Sequence, residues 1–188
     1  MLEYAFPNPA ILLLLFTLIS PAPAATLEID HQKSKIEVEA KSTLHDFSGT
    51  LEKYELSIAF DPKTNAPTRA DLTFDFKDLN TGDKGRDSDM LKWLAYPASP
   101  KASFHLTGWK QEGSQFIARG ELSIHGVKQE ITMPVNIEKV DDTYHIRGVA
   151  RLDYRDFQLP MIRKALVLTV DPHLTVTFQL VGKAEFAR

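Results

Sequence analysis

A period-two alternation of apolar and polar side chains returns in segment after segment of this chain and commits it to sheet. It is clearest where Ala70, Leu72, Phe74 and Phe76 alternate with Asp71, Thr73, Asp75 and Lys77. It returns where Leu174, Val176, Phe178 and Leu180 alternate with His173, Thr175, Thr177 and Gln179. Successive strand side chains point to opposite faces, so each such segment has one greasy and one wet side. Repeated over about eight segments, the pattern predicts one antiparallel sheet that must hide its apolar face, most economically by closing into a barrel.

The same reading places the other strands. Ile36, Val38 and Ala40 share one face, followed by Tyr54, Leu56, Ile58 and Phe60, which end at the turn signal Asp61-Pro62. Ala102, Phe104, Leu106 and Gly108 are predicted to face inward ahead of a Glu112-Gly113-Ser114 hairpin turn. Phe116, Ala118, Gly120, Leu122 and Ile124 lead to a turn at His125-Gly126. Ile131, Met133, Val135 and Ile137 follow, with Pro134 predicting a bulge or an edge because it cannot donate to a ladder. Asp141-Asp142 turns the chain into Tyr144, Ile146, Gly148, Ala150 and Leu152, and Asp156 to Val170 is less regular. Arg86 to Leu94 does not alternate; Met90, Leu91, Trp93 and Leu94 fall on one side of a short amphipathic helix that stops before Pro97. The last strand, around Leu174 to Leu180, is expected to meet the first.

The apolar run Ala10 to Ile19 is too short to span a bilayer and leads into Ala22-Pro23-Ala24, the small residues of a signal-peptidase site. Residues 1–24 therefore read as a cleaved secretory signal, although no Lys or Arg precedes the run, and residues 25–188 as one domain. The chain has no cysteine, which removes disulfides, thiolate ligands and a lipid-carrying thiol and leaves stability to the core. A net charge of −3 without a basic block argues against a nucleic-acid partner.

Many inward positions are small: Ala40, Ala70, Ala102, Gly108, Ala118, Gly120, Gly148 and Ala150. An eight-stranded barrel is just wide enough to be filled or to hold one ligand, so small residues favour a cavity. A barrel packed solid, or a two-sheet sandwich, remains open on the pattern alone. His45, His105 and His125 lie beside turns or on the polar face, with no short metal spacing, and read as solvated residues. No Gly-x-Ser-x-Gly elbow occurs. No catalytic residue, metal ligand or cofactor is therefore expected.

Several motifs resemble the YceI-like family of bacterial polyisoprenoid-binding proteins. They are Ile29-Asp30 with Ser34 and Ile36, Gly49, Thr81-Gly82 leading to Arg86-Asp87, Pro100 with Ala102, Ser103 and Phe104, and Asp156-Phe157. The most specific stretch is Gly120-Glu121-Leu122-Ser123-Ile124-His125-Gly126-Val127-Lys128. The chain departs from the family pattern at Tyr154 and Gln158, around the Asp-Phe pair, and at Trp93-Leu94-Ala95-Tyr96. The resemblance implies an all-β, lipocalin-like antiparallel barrel with one short helix near its mouth, as a lid or entry rim. It further implies a periplasmic, non-enzymatic carrier of a polyisoprenoid or similar long-chain lipid, touching a membrane surface only in passing, as monomer or dimer. The alternatives are a solid structural or stress-response module and a histidine- or metal-dependent enzyme. The expected ligand contacts are the inward Val38, Ala40, Ile58, Phe60, Leu72, Phe74, Phe76, Phe104, Leu106, Phe116, Ala118, Leu122, Met133, Val135, Ile146, Ala150, Val176 and Phe178.

Overall fold

Among the described residues the alternating segments fold into twelve strands, with one α-helix and two 3₁₀ turns. The computed structural model describes residues 25–61, 63–96, 98–164 and 168–186. The expected signal sequence, Pro62 and Pro97 lie outside them. In chain order the strands are β1 (Ala25–Ile29), β2 (Lys35–Ser42), β3 (Phe47–Leu51), β4 (Glu55–Phe60), β5 (Pro67–Asp75) and β6 (Leu79–Asn80). Helix α1 (Lys84–Trp93) precedes β7 (Lys101–Glu112), β8 (Gln115–Ile124), β9 (Val127–Val140), β10 (Thr143–Asp153), β11 (Arg163–Lys164) and β12 (Leu168–Phe186).

Antiparallel pairing runs β1, β4, β5, β7, β8, β9, β10, β12 and back to β1, which closes an eight-stranded barrel. The terminal strand closes it as expected, through Gly182–Phe186, just beyond the segment read from the sequence. Leu168–Phe186 pairs with β10 along one edge and with both β1 and β2 along the other. Between β1 and β2 the chain loops out at Asp30–Ser34. Asp30 accepts the amides of Gln32 and Lys33, and Val181 N–H donates to Ser34 Oγ at 2.9 Å. This gives Asp30 and Ser34 a physical role, since they let one long edge accommodate extra residues without losing register.

One expectation about parity is revised. A register shift between Leu106 and Gly108 places Gly108 opposite the outward Arg119 and Trp109 opposite the inward Ala118. The bulge flips every later side chain of β7, so Gly108 does not continue the inner face. Pro134, by contrast, sits at a local edge as predicted. It pairs with Ile117 of β8, and the β9–β10 ladder begins only at Val135. Below that point β9 and β10 part, and the gap is sealed by the 3₁₀ turn Tyr154–Phe157, whose Phe157 is buried and whose Asp156 carbonyl accepts from Gln129 at 2.7 Å.

The apolar side chains form two cores. The larger lines the barrel. The smaller, built from Phe76, Leu94, Ala102, Leu122, Tyr154, Phe157 and Leu159, sits at the helix-bearing end. No residue of α1 is itself buried; the helix is anchored by its C-cap Leu94 and by partly buried Met90, Leu91 and Trp93. Its start lies two residues before the predicted Arg86, because Asp83 caps it by accepting the amides of Gly85 and Arg86.

Candidate ligand-binding cavity

Inside the barrel lies a cavity of about 600 Å³. It begins beneath Phe60, Asn65 and Tyr144 at one end and reaches Ser42, His45, Phe47, Thr81 and α1 at the other. Every expected ligand contact, from Val38 to Phe178, lines it. The barrel is therefore hollow, which removes the solid-barrel alternative. Its volume falls in the range of small-molecule sites, roughly 300 to 1,000 Å³.

The small residues make room in two different ways. Ala40, Ala70, Ala118 and Ala150 line the lumen directly. Gly120 and Gly148 instead accommodate aromatic rings: a Cβ on either would overlap the ring of Phe104 or Phe178 respectively. Gly148 and Phe178 are register partners on β10 and β12. The missing side chain lets the ring lie against the wall rather than across the lumen. Ala102 does not border the cavity; it is buried in the smaller core.

One end is closed by polar chemistry. The Tyr144 hydroxyl, buried against Phe60, donates to Asn65 Oδ1 at 3.0 Å. At the other end Arg86 is the one Lys or Arg among the described residues that border the cavity. Its guanidinium lies 4.5 Å from the centre of the Phe47 ring, with Thr81 O at 3.4 Å and Asp83 at 4.0 Å. Asp87 accepts from both the amide and the hydroxyl of Thr81, at 3.0 and 2.6 Å, and pins the start of α1 across the mouth. The Thr81-Gly82 to Arg86-Asp87 motif thus anchors the rim. Arg86 was legible as part of that motif, but its place in the lumen was not.

The histidines are dispersed. His105 pairs with Asp71 on the outer face, and His125 holds a positive φ of 52° in the β8–β9 turn. His45 is exposed in a turn, as expected, and that turn after β2 also carries it to the cavity mouth. Among the described residues no group of three or more His, Asp or Glu is placed to hold a metal ion. Beside the mouth, hydrogen bonds from Arg155 hold the Asp153 carboxyl down at about 2, aided by the nearby His173.

A family model, the YceI-like domain, matches residues 27–182. The chain belongs to the YceI-like family. A UPF0312 protein of Enterobacter sp. (strain 638) is 28% identical over 129 residues, covering 66% of this chain and 67% of that protein. Protein YceI of Salmonella newport is 26% identical over the same length. The crystal structure of Burkholderia cenocepacia BcnA superposes with a TM-score of 0.72 at 22% identity, over 82% of this chain and 99% of that one. The Campylobacter jejuni YceI protein gives a TM-score of 0.55 at 17% identity, over 74% and 84%. These likenesses establish a YceI-like barrel, and its hollow interior is an architecture for binding.

Proposed function

We propose that this YceI-like barrel is a carrier that sequesters a polyisoprenoid or similar long-chain lipid, and that it does so in the periplasm after export. The observation that carries the reading is an apolar cavity through the barrel whose mid-barrel lining, Leu72, Phe74, Phe104, Met133, Val176 and Phe178 among it, offers no charge or amide among the described residues. Such a lining rewards hydrocarbon and gives a sugar, nucleotide or peptide nothing to bond. Each methylene removed from water contributes roughly 0.8 kcal/mol, so an isoprene unit contributes on the order of 3 to 4 kcal/mol. A few units then exceed the roughly 4 to 15 kcal/mol cost of association. Affinity should rise with chain length until the lumen is full.

Native mass spectrometry of protein purified from its own cells, with lipid extraction, tests the reading. One polyprenyl or comparable long-chain lipid per barrel is expected. Protein that is always empty, or that carries a short polar metabolite, would refute it. The same preparation tests export: the purified chain should begin at Ala25 or Thr26, and membrane-embedded protein that still carries Met1 would overturn that part.

A further inference from the structure

Resting on the carrier reading, we infer that the Tyr144 ring, fixed by Asn65, is the stop that sets how long a chain the barrel takes, and that the limit falls at about four isoprene units. The cavity begins beneath Phe60, Asn65 and Tyr144. Tyr144 is 1% exposed, and its ring lies 4.5 Å from that of Phe60 between centres. The ammonium of Lys139, an exposed residue, lies 5.2 Å from the centre of the same Tyr144 ring. Solvent is therefore one side chain away from the lumen at this end, and that side chain is Tyr144. Its ring is held in place, because the hydroxyl donates to Asn65 Oδ1 at 3.0 Å and ties β10 to the turn between β4 and β5, 79 residues away. Asn65 is fixed in turn. Its amide donates to Asp61 O at 2.8 Å, the Asp61 amide donates to Ala66 O at 2.9 Å, and its left-handed φ of 56° is one that Asn adopts more readily than most residues.

The positions of the polar groups give the ligand a direction. Apart from Asn65 and Tyr144, which bond to each other, the polar side chains that border the cavity stand at the mouth, Ser42, Thr81 and Arg86 among them. A polar head stays at the mouth and the hydrocarbon tail runs down to the Phe60 and Tyr144 rings, where it ends. A methylene fills about the volume of a water molecule, roughly 30 Å³, so a cavity of about 600 Å³ takes on the order of twenty such groups, or four isoprene units. Units beyond these have no lumen left to enter and stay outside the barrel. Removing the Tyr144 ring adds the space of about one more unit.

The test offers purified, delipidated protein an equimolar mixture of farnesol, geranylgeraniol, geranylfarnesol and solanesol in detergent, and reads the bound alcohols by native mass spectrometry. Geranylgeraniol should dominate, by about tenfold or more over solanesol, ~1.4 kcal/mol, because the surplus units of solanesol would have to leave the micelle for water. Tyr144→Ala should move the preference one unit up, to geranylfarnesol. Asn65→Gly suits the left-handed φ, releases the ring and should shift the ratio of geranylfarnesol to geranylgeraniol the same way, though less far. A change that merely loosened the fold would lower all the bound alcohols together and leave their ratios as they were. A parent protein whose bound fraction peaks at any other alcohol, or a peak that Tyr144→Ala leaves at geranylgeraniol, would overturn the inference while the carrier reading stands. If the parent takes up none of the mixture, the carrier reading itself fails and takes this one with it. Should Tyr144→Ala not fold, the ratio in Asn65→Gly decides in its place.

Discussion

At the closed end of the barrel the strands are joined by turns as short as Gly113-Ser114 and Asp141-Asp142, and the lumen stops at a Tyr144–Asn65 hydrogen bond. At the mouth, beside the short His125-Gly126 turn and the turn after β2, stand α1, between β6 and β7, and the stretch that starts with the Tyr154–Phe157 turn after β10. The closed end follows from neighbouring strands pairing in register, where each residue's place is set by the one across from it. The mouth is held by contacts between segments far apart in the chain. Trp93 Nε1 of α1 donates to Pro160 O at 2.9 Å, and the Trp93 ring meets Tyr154 edge-on. Tyr154 in turn donates to Val170 O and accepts from the Ile162 amide. Wall and rim are therefore held by different kinds of contact, the one by ladder register and the other by side chains that meet across long stretches of chain.

If that division holds, damage to the wall should cost far more than damage to the rim. Phe178→Asp is expected to have the largest effect. It buries an unpaired carboxylate in the lumen, which should cost about 3 kcal/mol or more in urea unfolding and abolish lipid retention. A stable, lipid-loaded variant would mean that Phe178 does not face the cavity. Gly148→Ala comes next. Its Cβ would drive the Phe178 ring off the wall, with an expected loss of roughly 1 to 3 kcal/mol and a shorter maximum chain bound. An unchanged melting curve would show that the ring has room to spare.

On the rim, Trp93→Phe removes the bond to Pro160 while keeping an aromatic ring on Tyr154. It should cost about 1 kcal/mol and increase amide exchange in α1 while leaving exchange in β8 and β10 unaltered. Protection lost equally in wall and rim would erase the distinction between the two ends. Gln158→Gly should stabilise by about 0.5 to 1 kcal/mol, because Gln158 holds a left-handed φ of 60° after the Tyr154–Phe157 turn. A loss of stability would show that its side chain makes up for the strain.

The smallest effect is expected at Asp153, where the ion pair with Arg155 lies at the surface. The Asp153 carboxyl is lowered from 3.8 to about 2 in the folded chain, so the stability it adds is complete above the unfolded value and disappears as pH falls through about 2. Asp153→Asn should therefore be slightly less stable than the parent at neutral pH, with the difference closing in acid. A difference that persists at pH about 2 would assign the contribution to packing rather than charge.

The barrel, its inner face and its closing strand were readable in the sequence because strand periodicity is a local property. Leu72 and Phe74 point inward whatever lies beyond them, and His125-Gly126 and Asp141-Asp142 announce their own turns. Gly108 escaped that logic. A bulge inserts one residue, and nothing in Leu106-Thr107-Gly108 says where the extra residue goes until β8 is alongside. The roles of Gly120 and Gly148 were equally out of reach, since a glycine looks the same whether it opens space or receives a neighbour's ring, and only the packing of Phe104 against the one and Phe178 against the other distinguishes the two. His45 and Arg86 reach the cavity because loops from distant parts of the chain meet at its mouth. Alternation settled which way the wall residues face; only the tertiary structure, through long-range packing of α1 and the β2–β3 turn, decided which polar groups stand at the entrance.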